Sequence, residues 1–111
     1  GVNTWVWVSP LTTAELEKLA PQVARIGFDW IEIPIEGTAD VDYARAAQII
    51  RDNGLGVSVC AAMGPDRDLI HEDEAIRKNG AAYLRHCVDA VKTLGGTNVV
   101  GPLYSSVGRV W

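Results

Sequence analysis

The apolar positions of this chain change their period several times, and each change is marked by Gly, Pro, Asn or an acidic residue. Residues 1–8, Gly-Val-Asn-Thr-Trp-Val-Trp-Val, are β-branched and aromatic and run into Ser9-Pro10, which predicts a strand followed by a loop. Thr12 stands three residues before Glu15, the spacing of a capping box. Leu16, Leu19, Ala20, Val23 and Ile26 then recur at helical spacing until Gly27 supplies a stop. Pro21 falls inside this pattern and has no N–H to donate, so the helix is expected to break there. Residues 28–35 form the second predicted strand. Asp40 is placed to cap a helix carrying Tyr43, Ala46, Ala47 and Ile50, closed by Asn53-Gly54. Residues 55–61 make a third strand and 66–73 a loop. A longer helix then sets Ile76, Gly80, Tyr83, Leu84, Cys87, Val88, Val91 and Leu94 on one stripe, ended by Gly95-Gly96. Residues 98–104 complete a fourth strand.

Four strands separated by three helices imply βαβ units, a parallel sheet and right-handed crossovers. The first two strand-to-strand intervals are both about 27 residues, the pace of one strand–helix unit. Parity within the strands then separates two architectures. Ile31, Ile33 and Ile35 share one face of strand two, whereas Trp30, Glu32, Pro34 and Glu36 share the other. Val57, Val59 and Ala61 oppose Ser58, Cys60 and Ala62 in strand three, and Asn3, Trp5 and Trp7 oppose Val2, Val6 and Val8 in strand one. A doubly wound sheet carries helices on both faces and is apolar on both. Here one face is aliphatic and the other bears carboxylates, so the pattern favours the N-terminal half of a (β/α)8 barrel with its polar face inward. The fold class is α/β.

At 111 residues the chain has room for one modest core, and residues 1–111 read as a single segment. A net charge of -4 without a basic run argues against nucleic acid. No apolar stretch has the length of a membrane span, and the apolar first residues lack the basic region and cleavage pattern of a signal peptide. Cys60 and Cys87 form no CxxC pair, and a cytoplasmic setting is the expectation. The chain opens on Gly1 rather than Met and closes on Trp111 soon after an apolar run, so both ends are expected to be cut.

Several chemical motifs have plainer readings. His71-Glu72-Asp73-Glu74 lacks HExxH spacing and precedes a helix, where acids stabilise the N-terminus. His86 and Cys87 are adjacent on a helix and cannot face one another, so a surface His and a packed Cys are expected rather than a base and a nucleophile. Cys60 has no base near it in sequence and is rejected as a nucleophile. Gly64-Pro65-Asp66 is a turn, since the GxxxxGK[ST] spacing of a phosphate loop is absent. Glu32 lies deep in its strand, as a hydrogen-bonded structural carboxylate rather than a metal ligand. Trp5 fits a core position, while Trp7 and Glu36 suit either ligand contact or a plain structural place.

Gly27-Phe28-Asp29-Trp30-Ile31-Glu32-Ile33-Pro34 resembles the second-strand signature of the xylose-isomerase-like barrels, above all the D-tagatose/D-psicose and L-ribulose 3-epimerases. Val6-Trp7, Cys60, Arg77 and Gly80, Leu94-Gly95, and the Gly101-Pro102-Leu103-Tyr104-Ser105 ending are similar to that group in the same order. The resemblance implies a divalent metal, Mn2+ or Co2+ and in some members Mg2+, that chelates two neighbouring oxygens of a ketose. Two glutamates would then remove and return a proton through an enediolate, as paired carboxylates and a Lewis acid can. In the family the catalytic glutamates and the metal-binding Asp and His lie on later strands, so this chain alone is expected to hold no metal and to be inactive. Its share would be a pocket wall at the C-terminal strand ends, namely Trp7, Glu36, Cys60, Ala62 and Tyr104, with Asn3 deeper. In relatives the positions of Asn3, Cys60 and Pro102 line the sugar pocket. Asn3 replaces an aromatic residue or His found there in several of them, which leaves the ketose open.

Two other readings accompany this one. Inosose dehydratases and hydroxypyruvate isomerases resemble the same barrel and act on related polyols or hydroxy-ketones. Alternatively the chain is a non-catalytic half-barrel module, natural or engineered, that self-associates. In either case the expected partners are a ketose or polyol and a second half-barrel or second copy, because a four-stranded sheet leaves two unpaired edges.

Overall fold

The computed structural model describes residues 1–110. In chain order the elements are β1 (Val2–Asn3), a 3-10 turn (Thr4–Val6), α1 (Thr13–Ile26), β2 (Trp30–Ile35), α2 (Tyr43–Asp52), β3 (Gly56–Ala61), α3 (Glu74–Leu94) and β4 (Val99–Val100). The strands form one parallel sheet in the order β1-β2-β3-β4. A doubly wound sheet reverses its order at a switch point; this one does not. Four parallel strands and three helices correspond to the N-terminal half of a TIM barrel.

The core lies between the sheet and the three helices. Ile31, Ile33 and Ile35 of β2 and Val57, Val59 and Ala61 of β3 are all buried, and they belong to one cluster with Leu16, Leu19, Val23, Ile50, Cys87 and Leu94. Both strands therefore turn their aliphatic residues to the helices, as the alternation predicts. The opposite face carries Glu32, Pro34, Ser58 and Cys60, with Glu32 opposite Ser58 and Pro34 opposite Cys60 in the register.

Local chemistry explains where the elements depart from the sequence pattern. The first strand is two residues long rather than eight, because the Asn3 side chain caps the 3-10 turn by accepting from Trp5 N at 2.8 Å. Trp7 N and Val8 N then both bond to Thr4 O, so Trp5 and Trp7 do not continue the face that Asn3 begins. Pro21 does not break α1. The bond it cannot make would fall on Glu17, and both residues are exposed, so water can satisfy the carbonyl. Thr12 caps α1 as expected, through Glu15 N at 3.2 Å.

The second helix is capped by Asp42, whose Oδ1 accepts from Arg45 N; Asp40 instead accepts from Gly37 N inside the preceding loop. In α3 the predicted stripe is buried at Gly80, Tyr83, Cys87, Val91 and Leu94, but Val88 is exposed. Asp73 caps this helix and His71 Nδ1 accepts from Asp73 N, so the acidic run serves the helix start. The fourth strand stops at Val100, where Gly101 takes φ 137° and turns the chain. No helix among the described residues is long and apolar enough to cross a membrane.

Candidate active-site wall

Three side chains form a polar layer on the face away from the helices. Asn3 Nδ2 donates to Glu32 Oε1 at 2.8 Å, and Ser58 Oγ donates to Glu32 Oε2 at 3.1 Å. Glu32 is thus a hydrogen-bonded carboxylate with one donor on each neighbouring strand, which is what a half-buried charge requires. A cavity of about 230 Å3 is bordered by Asn3, Trp30, Glu32 and Ser58.

Cys60 lies one pair further along this face and is 8% exposed. Burial and then the Glu32 carboxylate push its thiol up from the ordinary value, with Asn3 offsetting only part. A thiol in that state is a poor nucleophile at neutral pH. Cys87 is buried in the helix layer and is pushed up by burial as well. Its neighbour His86 is not a free surface residue: Nε2 lies 2.9 Å from Tyr43 Oη between α2 and α3.

Beyond the last strand pair, a second set of contacts gathers the loops. Glu36 Oε1 accepts from Trp5 Nε1 at 2.7 Å, and Ser9 Oγ lies 2.9 and 2.8 Å from the two carboxylate oxygens. Trp5 is consequently a rim residue, 39% exposed, rather than part of the core. Tyr83 Oη donates to Ile35 O at 2.6 Å and accepts from Ala62 N at 3.2 Å. Burial raises the Tyr83 phenol to about 12, so it remains a donor throughout the neutral range. Arg67 donates to Ala62 O and to Glu36 O, and its guanidinium sits 4.0 Å from the centre of the Tyr83 ring.

The structure thus brings Asn3 and Cys60 to one face, and Glu36 and Ala62 to the strand ends above it. Pro102 joins them through its carbonyl, which accepts from Met63 N at 3.2 Å. Trp7 is on the rim and 43% exposed, while Tyr104 stands 76% exposed beyond Gly101. Arg67 was not singled out from sequence, and Tyr83 and Ser9 were read there only as a helix-stripe residue and a loop residue. Arg67 gave no signal because its partners are backbone carbonyls, which no residue type announces. Among the described residues no group of three or more His, Cys, Asp or Glu side chains could hold a metal ion. A larger cavity, about 380 Å3, lies between the loops after β3 and β4, lined by Asp68, His71, Ser106 and Arg109.

Residues 20–110 match the model of the family described as xylose isomerase-like TIM barrel. The chain belongs to that family. Among relatives of this TIM-barrel family, the chain is 33% identical over 108 residues to an L-ribulose 3-epimerase of Mesorhizobium japonicum, covering 97% of this chain and 36% of that protein. A solved L-ribulose 3-epimerase superposes with a TM-score of 0.90 at 33% identity, over 100% of this chain and 38% of the other. A D-allulose 3-epimerase from Methylomonas sp., solved with D-allulose, gives a TM-score of 0.90 at 26% identity, over 97% and 38%. The chain spans little more than a third of the length of these xylose isomerase-like relatives.

Proposed function

We propose that these residues form one wall of the active site of a divalent-metal-dependent ketose 3-epimerase. The observation that most supports this reading is the inward layer of Asn3, Glu32 and Ser58, with Cys60 above it, on a backbone that superposes closely on sugar epimerases. In the proposal, Asn3, Cys60, Ala62 and Pro102 border the sugar, Trp7 and Tyr104 close over it from the rim, and Glu36 stands at the rim between the first two loops. An indole face packs on the C–H face of a sugar, while amide and carbonyl groups bind its hydroxyls.

A bound ion, Mn2+, Co2+ or Mg2+, would supply Lewis-acid polarisation of adjacent sugar oxygens, which would acidify the C–H on the carbon next to the carbonyl. The described residues supply no set of ligands for it. No step of proton transfer is therefore assigned to this chain, and the ligands and catalytic carboxylates are proposed to come from further strands of the barrel. Two buried, unpaired cysteines accord with a cytoplasmic setting.

The test is to incubate the complete natural polypeptide containing these residues with each of the three ions and with D-fructose, D-allulose, D-tagatose and L-ribulose in D2O. Interconversion of C3 epimers with deuterium entering at C3 is expected. Turnover of hydroxypyruvate or an inosose instead, with no ketose epimerised, would refute the reading. A second reading, a non-catalytic half-barrel that self-associates, is favoured by one observation: β1 and β4 each pair on one side only.

A further inference from the structure

The strand ladder between β2 and β3 ends at Ile35 and Ala61, yet the chain just beyond it is held on three sides. Tyr83, from α3 and 5% exposed, bridges Ile35 O and Ala62 N through its hydroxyl. Arg67 stacks on that ring and reaches two carbonyls at once, Ala62 O at 3.2 Å and Glu36 O at 2.9 Å. The loop carrying Arg67 can lie this close to α3 because residue 80 is Gly; a Cβ there would stand 3.3 Å from Arg67 O and 3.1 Å from Leu69 Cδ2. On its other side, the Glu36 carboxylate takes Trp5 Nε1 and Ser9 Oγ. The contacts therefore run without interruption from α3 through Arg67 and Glu36 to residues 5–9.

We infer that Arg67 and Glu36 form a strut that fixes the loop of residues 4–9 against the ends of β2 and β3, and that both are positioning residues for a ketose; the latter role rests on the function proposed above. The guanidinium suits this task because its planar fork serves two acceptors in one fixed geometry, which a Lys ammonium on a flexible stem does not reproduce. The carboxylate suits it because it is acceptor-only and has lone pairs for both donors. A methionine at residue 36 keeps the length of the side chain and removes both acceptor oxygens, whereas an amide could still serve Trp5 Nε1 and Ser9 Oγ. Sequence spacing hides the strut, since Glu36 lies 31 residues from Trp5 on one side and 31 from Arg67 on the other.

The experiment compares the complete natural polypeptide with its Arg67→Met, Arg67→Lys, Glu36→Met and Arg67→Met/Glu36→Met variants by hydrogen exchange and steady-state kinetics. Amide exchange in residues 4–9 should rise about tenfold in Arg67→Met and Glu36→Met, with little further rise in the double variant, because the two act in one chain of contacts. Exchange in α1 and α2 should not move. The ketose KM should rise about tenfold while kcat changes less than about twofold, and Arg67→Lys should recover only part of the difference. Wild-type exchange in residues 4–9 of both single variants would overturn the strut, as would a uniform loss of protection through α1, α2 and α3. A faster loop with an unchanged KM would overturn the positioning role. If the wild type epimerises no ketose, the proposed function and the positioning role fall together, and the exchange measurement still decides the strut. Should Arg67→Met not fold, Glu36→Met at the half-buried rim carries the same test.

Discussion

Thr4 is fully buried in the turn after β1, and its hydroxyl has no hydrogen-bond partner among the described residues. A buried hydroxyl without a partner forfeits its bonds to water and gains nothing in return. Thr4→Val keeps the branched shape and removes the oxygen, so it should stabilise the protein by about 1 kcal/mol, read as a higher thermal midpoint. A lower midpoint would show that the hydroxyl is satisfied in solution. Asp68 presents the opposite case. Burial alone would push its carboxyl up, but hydrogen bonds from the N–H groups of Ile70 and Ser106 and from the Arg109 guanidinium outweigh it and hold the carboxyl below the ordinary carboxylate range. A native value below the unfolded one adds stability that is complete above the ordinary carboxyl range and is lost as pH falls through the native value. Unfolding by urea at pH 6 and pH 3 should therefore show a loss in the wild type that is smaller in Asp68→Asn. At pH 6 the Asn variant should be the less stable of the two. Neither residue stood out in the sequence, because the burial of a side chain in a loop depends on what the tertiary fold lays over it.

The helices were legible because their signals are local. A stripe of buried side chains and a capping residue lie within a few positions of each other, as Thr12, Leu16 and Val23 show. The central strands were legible for the same reason, since alternation in β2 and β3 sets which face meets the helices. The outer strands were not. Residues 1–8 and 98–104 have strand composition, yet β1 and β4 are two residues each, because side-chain capping at Asn3 and the turn at Gly101 end them. Gly101 makes the point testable. Its φ of 137° disfavours any Cβ, and one placed there would lie 1.9 Å from Ala61 O. Gly101→Ala should cost about 2–3 kcal/mol and loosen the chain that carries Pro102, seen as a lower urea midpoint together with faster amide exchange at residues 61–63. An unchanged midpoint would mean that β4 does not lean on β3 in this way.

At the scale of the molecule, all three helices cover one face of the sheet, and the face that bears Glu32 and Cys60 carries none of them. The strands at the two ends each have one side without a partner. These 111 residues, expressed by themselves, should sediment as a dimer or larger species, since closed symmetry is the simplest way to cover two like edges. A well-folded monomer in analytical ultracentrifugation would contradict this. The polar layer could be read from parity alone, because Asn3, Glu32 and Ser58 are held by short, regular strands. The strand-end positions of Trp7 and Glu36 could be read as well, but the rim contacts could not, since they join residues of separate loops, Trp5 and Ser9 to the Glu36 carboxylate and Arg67 to backbone carbonyls. The shortness of β1 has a consequence of its own. With only Val2 and Asn3 committed to pairing, the six residues that follow belong to no strand, so exchanging them as a block touches only their side-chain anchors, the buried Thr4 and the Trp5 and Ser9 contacts to Glu36, and leaves every strand with its neighbour. On the function proposed above, chimeras that exchange this one segment between homologues while keeping Thr4, Trp5 and Ser9 should fold and take on the donor's sugar selectivity.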